Sequence, residues 1–430
     1  MDGWCVGAPV SATAPVRCWL ITVGEPLPLP GEQPRLLRTG RLARRLGDAG
    51  HSVVWWSSTF DHMRKRFVRP GPATVPLDAR IDLRLLHGRP YHRNVSVARL
   101  LNHHQVGVQF RHQVAHTPAP DVVLCSFPTI ELADEATTYG RAHGVPVVLD
   151  VRDLWPDIFQ DAVPRLLRPL ARLAVLPYRR RAQRAFRSAH AVIGVSDGYL
   201  DWGLRLAGRE RRSLDAVIPL GYERLAPPDA GVESIVRRQL ERRGVDFGRP
   251  IVWFLGTFGR SYDLAPAITA ARLLRARGFT DPLFVLSGEG EQGGAWRRLA
   301  KDLPNVVFTG WLDRHAIAVL LQHASIGLAA YARNAPQGLP NKIFEYLSAG
   351  LPVVSSLSGE TATLLAETSC GITYDSSDPV QLTDVLVRLL TTPHLRASTS
   401  QAARRVFEDR YAADAIDRRL VTLLEQIALR

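Results

Sequence analysis

Two textures alternate along the chain. Short runs dense in β-branched, leucine and tryptophan residues fall at 18–23, 52–56, 122–125, 145–151, 191–195 and 216–220. Longer stretches between them, at 36–49, 130–142 and 166–188, set apolar residues at helical spacing among arginine and alanine. Strand, helix, strand at this spacing predicts βαβ units built around a parallel sheet. The segment Leu225-Ala226-Pro227-Pro228-Asp229-Ala230-Gly231 breaks the rhythm and reads as a linker. The alternation then restarts. Strands are expected at 251–255, 283–287, 306–309, 326–330 and 352–355, and helices at 264–276, 295–301, 314–323, 341–349 and 360–368.

The expected fold class is therefore α/β, with two doubly wound, Rossmann-like domains, 1–223 and 224–409. Such sheets bind ligands outside the carboxyl ends of their strands, which puts the expected site in a cleft between the domains. A helix over about 410–430 follows, and packing back on the first domain is one destination open to it. Residues 70–116, rich in His and Arg, show no clear period and are expected to be loops with one helix.

Composition sharpens this picture in three ways. A chain of 430 residues is too long for one ordinary core, in keeping with two domains. Cys5, Cys18, Cys125 and Cys370 lie far apart with no CxxC spacing, which argues against a disulfide framework or zinc site and fits a reducing, cytoplasmic setting. The net charge of +13, almost all of it from arginine, favours anionic partners such as phosphates, nucleic acid or an anionic membrane face. No apolar run is long enough to span a bilayer. Residues 1–16 lack a basic n-region and an apolar h-region, so they are expected to be a short disordered extension and not a signal peptide.

Four stretches carry candidate chemistry. In Leu255-Gly256-Thr257-Phe258-Gly259-Arg260, glycines between a strand and a helix would let backbone N–H groups approach a pyrophosphate, with Arg260 as counter-charge. A tight βα turn is the plain alternative. Ser287-Gly288-Glu289-Gly290, also at a strand end, reads equally as a loop beside a nucleotide or as ordinary glycine punctuation. In Thr309-Gly310-Trp311-Leu312, Trp311 is either a platform beside a base or a rim aromatic. In Gln337-Gly338-Leu339-Pro340-Asn341-Lys342-Ile343-Phe344-Glu345-Tyr346, a Gly/Pro turn starts a helix. Lys342 sits in the first turn, where a cation opposes the helix dipole and an anionic ligand would offset it. Glu345 shares its face and could accept both hydroxyls of a ribose; a surface ion pair is the alternative.

In this order and at these separations, the four stretches resemble the C-terminal domain of retaining glycosyltransferases of family 4, which have the GT-B fold. Segments of the first half resemble the bacterial surface-polysaccharide members. These are Gly24-Glu25-Pro26-Leu27-Pro28, Leu36-Leu37-Arg38-Thr39-Gly40, Gly50-His51-Ser52-Val53-Val54-Trp55-Trp56, Asp150-Val151-Arg152-Asp153-Leu154-Trp155-Pro156-Asp157 and Ala189-His190-Ala191-Val192-Ile193-Gly194-Val195-Ser196. The resemblance covers roughly residues 17–430.

The resemblance implies transfer of a sugar, with retention, from a nucleotide-diphosphate donor to a glycan or lipid-linked acceptor. The donor is a substrate; no cofactor and no obligate metal are implied. Glu345 would bind the ribose, Gly256, Gly259, Arg260 and Lys342 would surround the diphosphate, and Trp311 and Leu312 would lie near the base. Thr257, Gly288, Gly290, Gln337, Gly338, Leu339 and Asn341 complete the expected donor site. Asp153, with Arg260 and Lys342, is a candidate catalytic group: it follows a strand end in the first domain and could orient or deprotonate the acceptor, or simply cap the next turn. Gly24, Glu25, Arg38, His62 and Arg152 are expected on the acceptor side. Two departures stand out. Many family members carry two glutamates eight positions apart, and here the first is Gln337. Many also carry a lysine five positions after the loop arginine, and here that position is Ala265, so Lys342 is the candidate replacement cation.

The stretch 161–190 holds eight arginines against one acid, Asp161, with leucines between them. It reads as a face that docks on anionic lipid at the inner side of the membrane, or as a solvated basic helix. Competing readings of the whole chain are a nucleotide-sugar epimerase, a sugar-phosphate glycosyltransferase, a non-catalytic scaffold and a nucleic-acid-binding protein. The last is disfavoured because no basic-aromatic module is recognisable.

Overall fold

The computed structural model describes residues 14–32, 34–92, 96–157, 168–335 and 337–429. Most of the expected N-terminal extension, and residues 161–167 of the basic stretch, lie outside them. The chain divides into two compact units, Met1–Gly221 with Ile416–Arg430, and Tyr222–Ala415.

The first unit contains β1 (Arg17–Ile21), β2 (Ser52–Ser58), β3 (Phe60–Asp61), β4 (Arg66–Phe67), β5 (Ala73–Pro76), β6 (Ile81–Leu86), β7 (Val122–Phe127), β8 (Val147–Val151), β9 (Ala191–Gly194) and β10 (Ala216–Val217). Eight of these form one sheet in the order β10-β9-β8-β7-β1-β2-β6-β5, while β3 and β4 pair as a separate hairpin. Only β5 runs antiparallel to its sheet neighbour. The central strands are buried throughout because helices cover both faces, so they read as continuous apolar runs. Trp19, Trp56 and Phe110 pack edge-to-face on one side of the sheet.

Residues 70–116 are a correction to the sequence reading. They contribute two strands, β5 and β6, as well as the helix Val97–Val114. Asp82 and Arg84 alternate with the buried Ile81, Leu83 and Leu85 along β6, so one face of this strand near the sheet edge is half-buried. The helix is hard to see because its buried face carries the polar residues Asn102 and His103, and other polar side chains along it are turned to the preceding segment. Asn102 Nδ2 donates to the Arg89 carbonyl at 2.8 Å, Gln105 Oε1 accepts from the Arg89 N–H at 2.8 Å, and Gln109 Oε1 accepts from the His87 N–H at 2.7 Å. These bonds satisfy an extended segment that has no strand partner. The expected strand 216–220 also shortens to Ala216–Val217, because the Arg38 guanidinium donates to the carbonyls of Ile218 and Pro219.

The second unit contains β11 (Ile251–Leu255), β12 (Leu283–Ser287), β13 (Val306–Gly310), β14 (Ile326–Ala329), β15 (Val353–Ser355) and β16 (Gly371–Thr373). They form a wholly parallel sheet in the order β13-β12-β11-β14-β15-β16. Chain order reverses between β11 and β14. Loops leaving adjacent strands diverge at such a switch point and open a binding crevice.

The last helix, Ala413–Ala428, crosses from the second unit to the first. Ile416, Leu420, Leu424 and Ile427 are buried on its inner stripe, each contributing roughly 1.5–3 kcal/mol of transfer free energy. Asp417 and Glu425 add bonds to Arg41 and His51, both at 3.0 Å.

Candidate functional site

A cavity of about 510 Å³ opens at the carboxyl ends of β11, β12 and β13. Its floor is made by two interlocked glycine loops. Gly256 N–H donates to the Ser287 carbonyl at 3.0 Å, and Phe258 N–H donates to the Glu289 carbonyl at 2.8 Å. Gly288 has φ +142°, and a Cβ there would fall 1.8 Å from the Gly256 carbonyl oxygen. Glycine is therefore required at 288 by the approach of its neighbour's backbone. The strand ends beneath are tied together: Trp253 Nε1 donates to Ser287 Oγ at 2.9 Å, and Thr309 Oγ1 bonds the same oxygen at 2.9 Å.

The helix Asn341–Ala349 points its first turn into this cavity. Pro340 at its N-cap offers no side-chain acceptor and the first turn holds no acid, so the leading N–H groups and the helix dipole are open to an anion. Tyr346 fixes the helix from below. Its hydroxyl accepts from the Leu255 N–H at 3.0 Å and reaches the Leu328 carbonyl at 3.1 Å. Its ring lies flat against Gly327, where a Cβ would come within 2.3 Å of it.

Lys342 is buried, and its Nζ has no hydrogen-bond partner among the described residues. Three rings surround the amine: Tyr262 at 3.9 Å, Phe254 at 4.0 Å and Tyr331 at 4.9 Å to their centroids. Cation–π contact contributes about 0.5–2 kcal/mol, whereas stripping an ammonium of water costs several kcal/mol. Burial therefore wins, and it pushes the Lys342 amine well below the usual lysine range despite the pull of Glu345. Glu345 also lines the cavity, and its Oε1 accepts from the Tyr222 hydroxyl at 2.9 Å.

Most of the expected donor residues meet here. Gly256, Thr257, Gly288, Trp311, Leu312, Asn341, Lys342 and Glu345 all line the cavity. Trp311 is 70% exposed, leaving ring surface free for a planar ligand. Gly259 and Gly290 are not part of the lining; a Cβ on Gly290 would fall 2.6 Å from the Phe258 carbonyl oxygen, in the packing of the two loops. Arg260 is not drawn in: its side chain is 89% exposed and pairs with Glu291 at 3.2 Å. Gln337 lies outside the lining and reaches Ser261 Oγ at 3.3 Å, with its own Oε1 buried and unpartnered among the described residues. Gly338 is held by Thr361, whose N–H and hydroxyl both donate to its carbonyl, and Leu339 packs against the core.

The first unit sorts its candidates differently. Gly24, Glu25 and His62 line a second cavity of about 260 Å³. Burial and the neighbouring cations Arg99 and Lys65 push the His62 imidazole down to about 4, and its Nδ1 bonds the Tyr91 hydroxyl at 2.8 Å. Arg38 and Arg152 do not line this cavity. They flank the buried carboxylate of Asp150, at 3.0 and 2.7 Å, and Arg152 also pairs with Glu25. Glu25 accepts from the N–H of Thr39 at 3.0 Å, bracing the start of the helix Arg38–Asp48. Asp153 Oδ1 accepts from the Leu154 N–H at 2.8 Å, and burial raises its carboxyl above the usual range.

Within the basic stretch, the helix Arg168–Ser188 anchors itself through Ala182, Ala185 and Phe186. Arg181 and Arg184 both pair with Asp134, at 2.9 and 2.8 Å, so part of the charge is spent inside the unit. Leu173, 67% exposed, and Leu176 remain outward. Among the described residues, no helix is long and apolar enough to cross a membrane.

Sequence reasoning missed Tyr222, Phe254, Tyr262 and Tyr331. Each is an aromatic in an apolar run or turn, indistinguishable there from a core residue.

Residues 249–392 match a family model described as Glycosyl transferases group 1. A 168-residue stretch is 29% identical to a GDP-mannose-dependent monoacylated alpha-(1-6)-phosphatidylinositol monomannoside mannosyltransferase of Corynebacterium glutamicum, covering 37% of this chain and 41% of that protein. A 257-residue stretch is 26% identical to an alpha-D-kanosaminyltransferase of Streptomyces kanamyceticus, covering 59% of this chain and 65% of that one. The chain thus spans less than two thirds of the length of either relative. The sucrose-phosphate synthase of Thermosynechococcus elongatus superposes with a TM-score of 0.67 at 16% identity, over 96% of this chain and 99% of that one. This likeness identifies the fold as GT-B.

Proposed function

We propose that the chain is a glycosyltransferase that moves a sugar from a nucleotide-diphosphate donor to a glycan or lipid-linked acceptor. One observation carries this reading. Glu345, the buried Lys342 amine and an uncapped helix N-terminus converge on a single cavity at the switch point of the second sheet. A carboxylate suits the two hydroxyls of a ribose, and the helix end and amine suit a diphosphate. The group 1 match falls on the same stretch of chain.

The chemical demand of the transfer is charge on the departing diphosphate. N–H groups and cations held in place before reaction stabilise that charge without reorganising. Lys342 is so held. Arg260, outside the cavity lining, would join on donor binding. Such a set would serve transfer without a metal, and retention is carried over from the family resemblance alone. In the first unit, the cavity around Gly24, Glu25 and His62 suits acceptor hydroxyls, and Asp153 is the candidate group to orient or deprotonate one. A cytoplasmic role in surface-polysaccharide synthesis, with peripheral contact to anionic lipid through 161–190, completes the proposal. Outward Leu173 and Leu176 on an arginine-rich helix support that contact.

The test is a thermal-shift panel of UDP, GDP, ADP, dTDP and CMP, followed by turnover with the sugar form of whichever stabilises, with and without EDTA. Stabilisation by one nucleoside diphosphate and EDTA-resistant transfer with retained anomeric configuration are expected. No stabilisation by any of them would sink the donor reading. Gln337, where a carboxylate is usual, favours one second reading: a scaffold that binds the donor without turnover. Binding with no transfer to any acceptor or water would select it.

A further inference from the structure

The Lys342 amine poses a question that donor binding alone does not answer. It is buried, its Nζ has no hydrogen-bond partner among the described residues, and it faces three aromatic rings. A Cβ on Gly256 would lie 2.8 Å from Nζ, so the amine sits directly against the glycine loop, leaving no room for water on that side. An ammonium has three donors and no acceptor capacity, and here none of the three is used. The titratable groups facing it are few. Glu345 stands one turn along the same helix, Tyr262 comes from the loop after β11, and Tyr331 follows β14. Among the described residues Glu345 is the one carboxylate in the cavity lining, and it is engaged by the Tyr222 hydroxyl. Arg260 points away to Glu291.

We propose that Lys342 carries an uncharged amine in the empty site and takes up one proton from solvent as the donor's diphosphate enters, so that donor binding and protonation of this side chain are one coupled event. This rests on the donor reading above. The balance is simple: the amine lone pair takes a solvent proton, becomes an ammonium, and gains phosphate oxygens as hydrogen-bond acceptors. Burial favours the neutral form while the site is empty, in line with the downward shift of this group. A doubly charged diphosphate reverses that preference, because a nearby opposite charge favours the ammonium. The lysine is thus a cation that exists when an anion is present to use it. It spares the empty site an unpaired buried charge.

Calorimetry of UDP and GDP binding tests this. Titrations at pH 8 are run in buffers of different ionisation enthalpy. Phosphate groups titrate at about pH 6, so the ligand contributes little at this pH. Uptake close to one proton per bound nucleotide is expected, with affinity falling about tenfold per pH unit between pH 7.5 and 9. Lys342→Met, checked for native unfolding behaviour, should bind more weakly and take up no proton. Lys342→Arg, always charged, should also take up none. Binding with no proton exchange and flat pH dependence would overturn the proposal while leaving the donor reading intact. Uptake that persists in Lys342→Met would assign the proton elsewhere, Glu345 first, and overturn it too. No binding of either nucleotide in any arm would remove the donor reading and this proposal with it.

Discussion

The Tyr222 hydroxyl donates to Glu345 Oε1 at 2.9 Å, across 123 positions of sequence. This bond helps to fix the orientation of a carboxylate on the cavity wall. A hydrogen bond to a charged acceptor contributes about 1.5–3 kcal/mol, and much of that persists if water replaces the phenol. Tyr222→Phe is expected to weaken nucleoside-diphosphate binding about fivefold. Glu345→Ala removes the acceptor for the ribose altogether and should cost roughly 100-fold. Dissociation constants for the stabilising nucleotide check both; equal losses would mean that the carboxylate acts only through its tyrosine.

How much of this was legible beforehand follows from where each group comes from. Strands β11, β12 and β13 are short apolar runs, the last two ending in one hydroxyl residue, and each is closed by glycine, so their ends, and the loops that line the cavity, could be read directly. Lys342 and Glu345 share one helical turn, so their common face follows from periodicity. Tyr222, Tyr262 and Tyr331 could not be read, because only tertiary packing brings them to the same site. In the first unit, β6 carries the period-2 alternation Ile81-Asp82-Leu83-Arg84-Leu85, a strand signal that the surrounding His and Arg content obscures, while Asn102 and His103 interrupt the buried face of the following helix. Arg38 and Arg152 were expected on the acceptor side, and the structure places both against the buried carboxylate of Asp150, a contact that only tertiary packing makes.

Gly288 is held at φ +142° with the Gly256 carbonyl where its Cβ would be. Gly288→Ala must either strain its own backbone or push the Gly256 loop into the cavity. A cost of about 3 kcal/mol or more is expected. Urea unfolding measures it, and loss of nucleotide-induced stabilisation should accompany it. A stable variant with full nucleotide binding would show the two loops to be less tightly interlocked than their hydrogen bonds imply.

His103 gives the first unit an acid limit. It is buried against Trp155, and burial, with Arg99 and His62 nearby, pushes its imidazole down to about 3. An unfolded histidine titrates near 6.5, so between these values the unfolded chain binds the proton first. The contribution is fully present above about pH 6.5 and is lost as pH falls, at up to about 1.4 kcal/mol per pH unit. Unfolding free energies at pH 7.5, 6.5 and 5.5 should fall with pH, and His103→Gln should reduce the slope by up to about 1.4 kcal/mol per pH unit, leaving the share of His62, which is also depressed, to about 4. An unchanged slope would move the effect to other groups.

Arg260 and Lys342 are both candidates for the diphosphate, and their surroundings separate their roles. Lys342 is already held in the cavity, so its contribution is available when the donor binds. Arg260 is exposed and, among the described residues, pairs with an exposed glutamate, a contact worth about 0–1 kcal/mol. Recruiting it means ordering a long side chain, at up to about 2 kcal/mol of lost rotamer freedom. The gain from a charge-assisted bond to the diphosphate is of the same size, so the net effect on ground-state binding is near zero. Charge on the leaving group grows as the glycosidic bond breaks, and there the guanidinium has most to offer. Arg260→Ala should therefore leave the Kd of the nucleoside diphosphate within about threefold and lower kcat by about tenfold or more, whereas Lys342→Met should raise Kd by about tenfold or more and lower kcat as well. Titration and initial rates on the same preparations distinguish them, and an Arg260→Ala variant that loses affinity without losing kcat would place the arginine in ground-state binding instead.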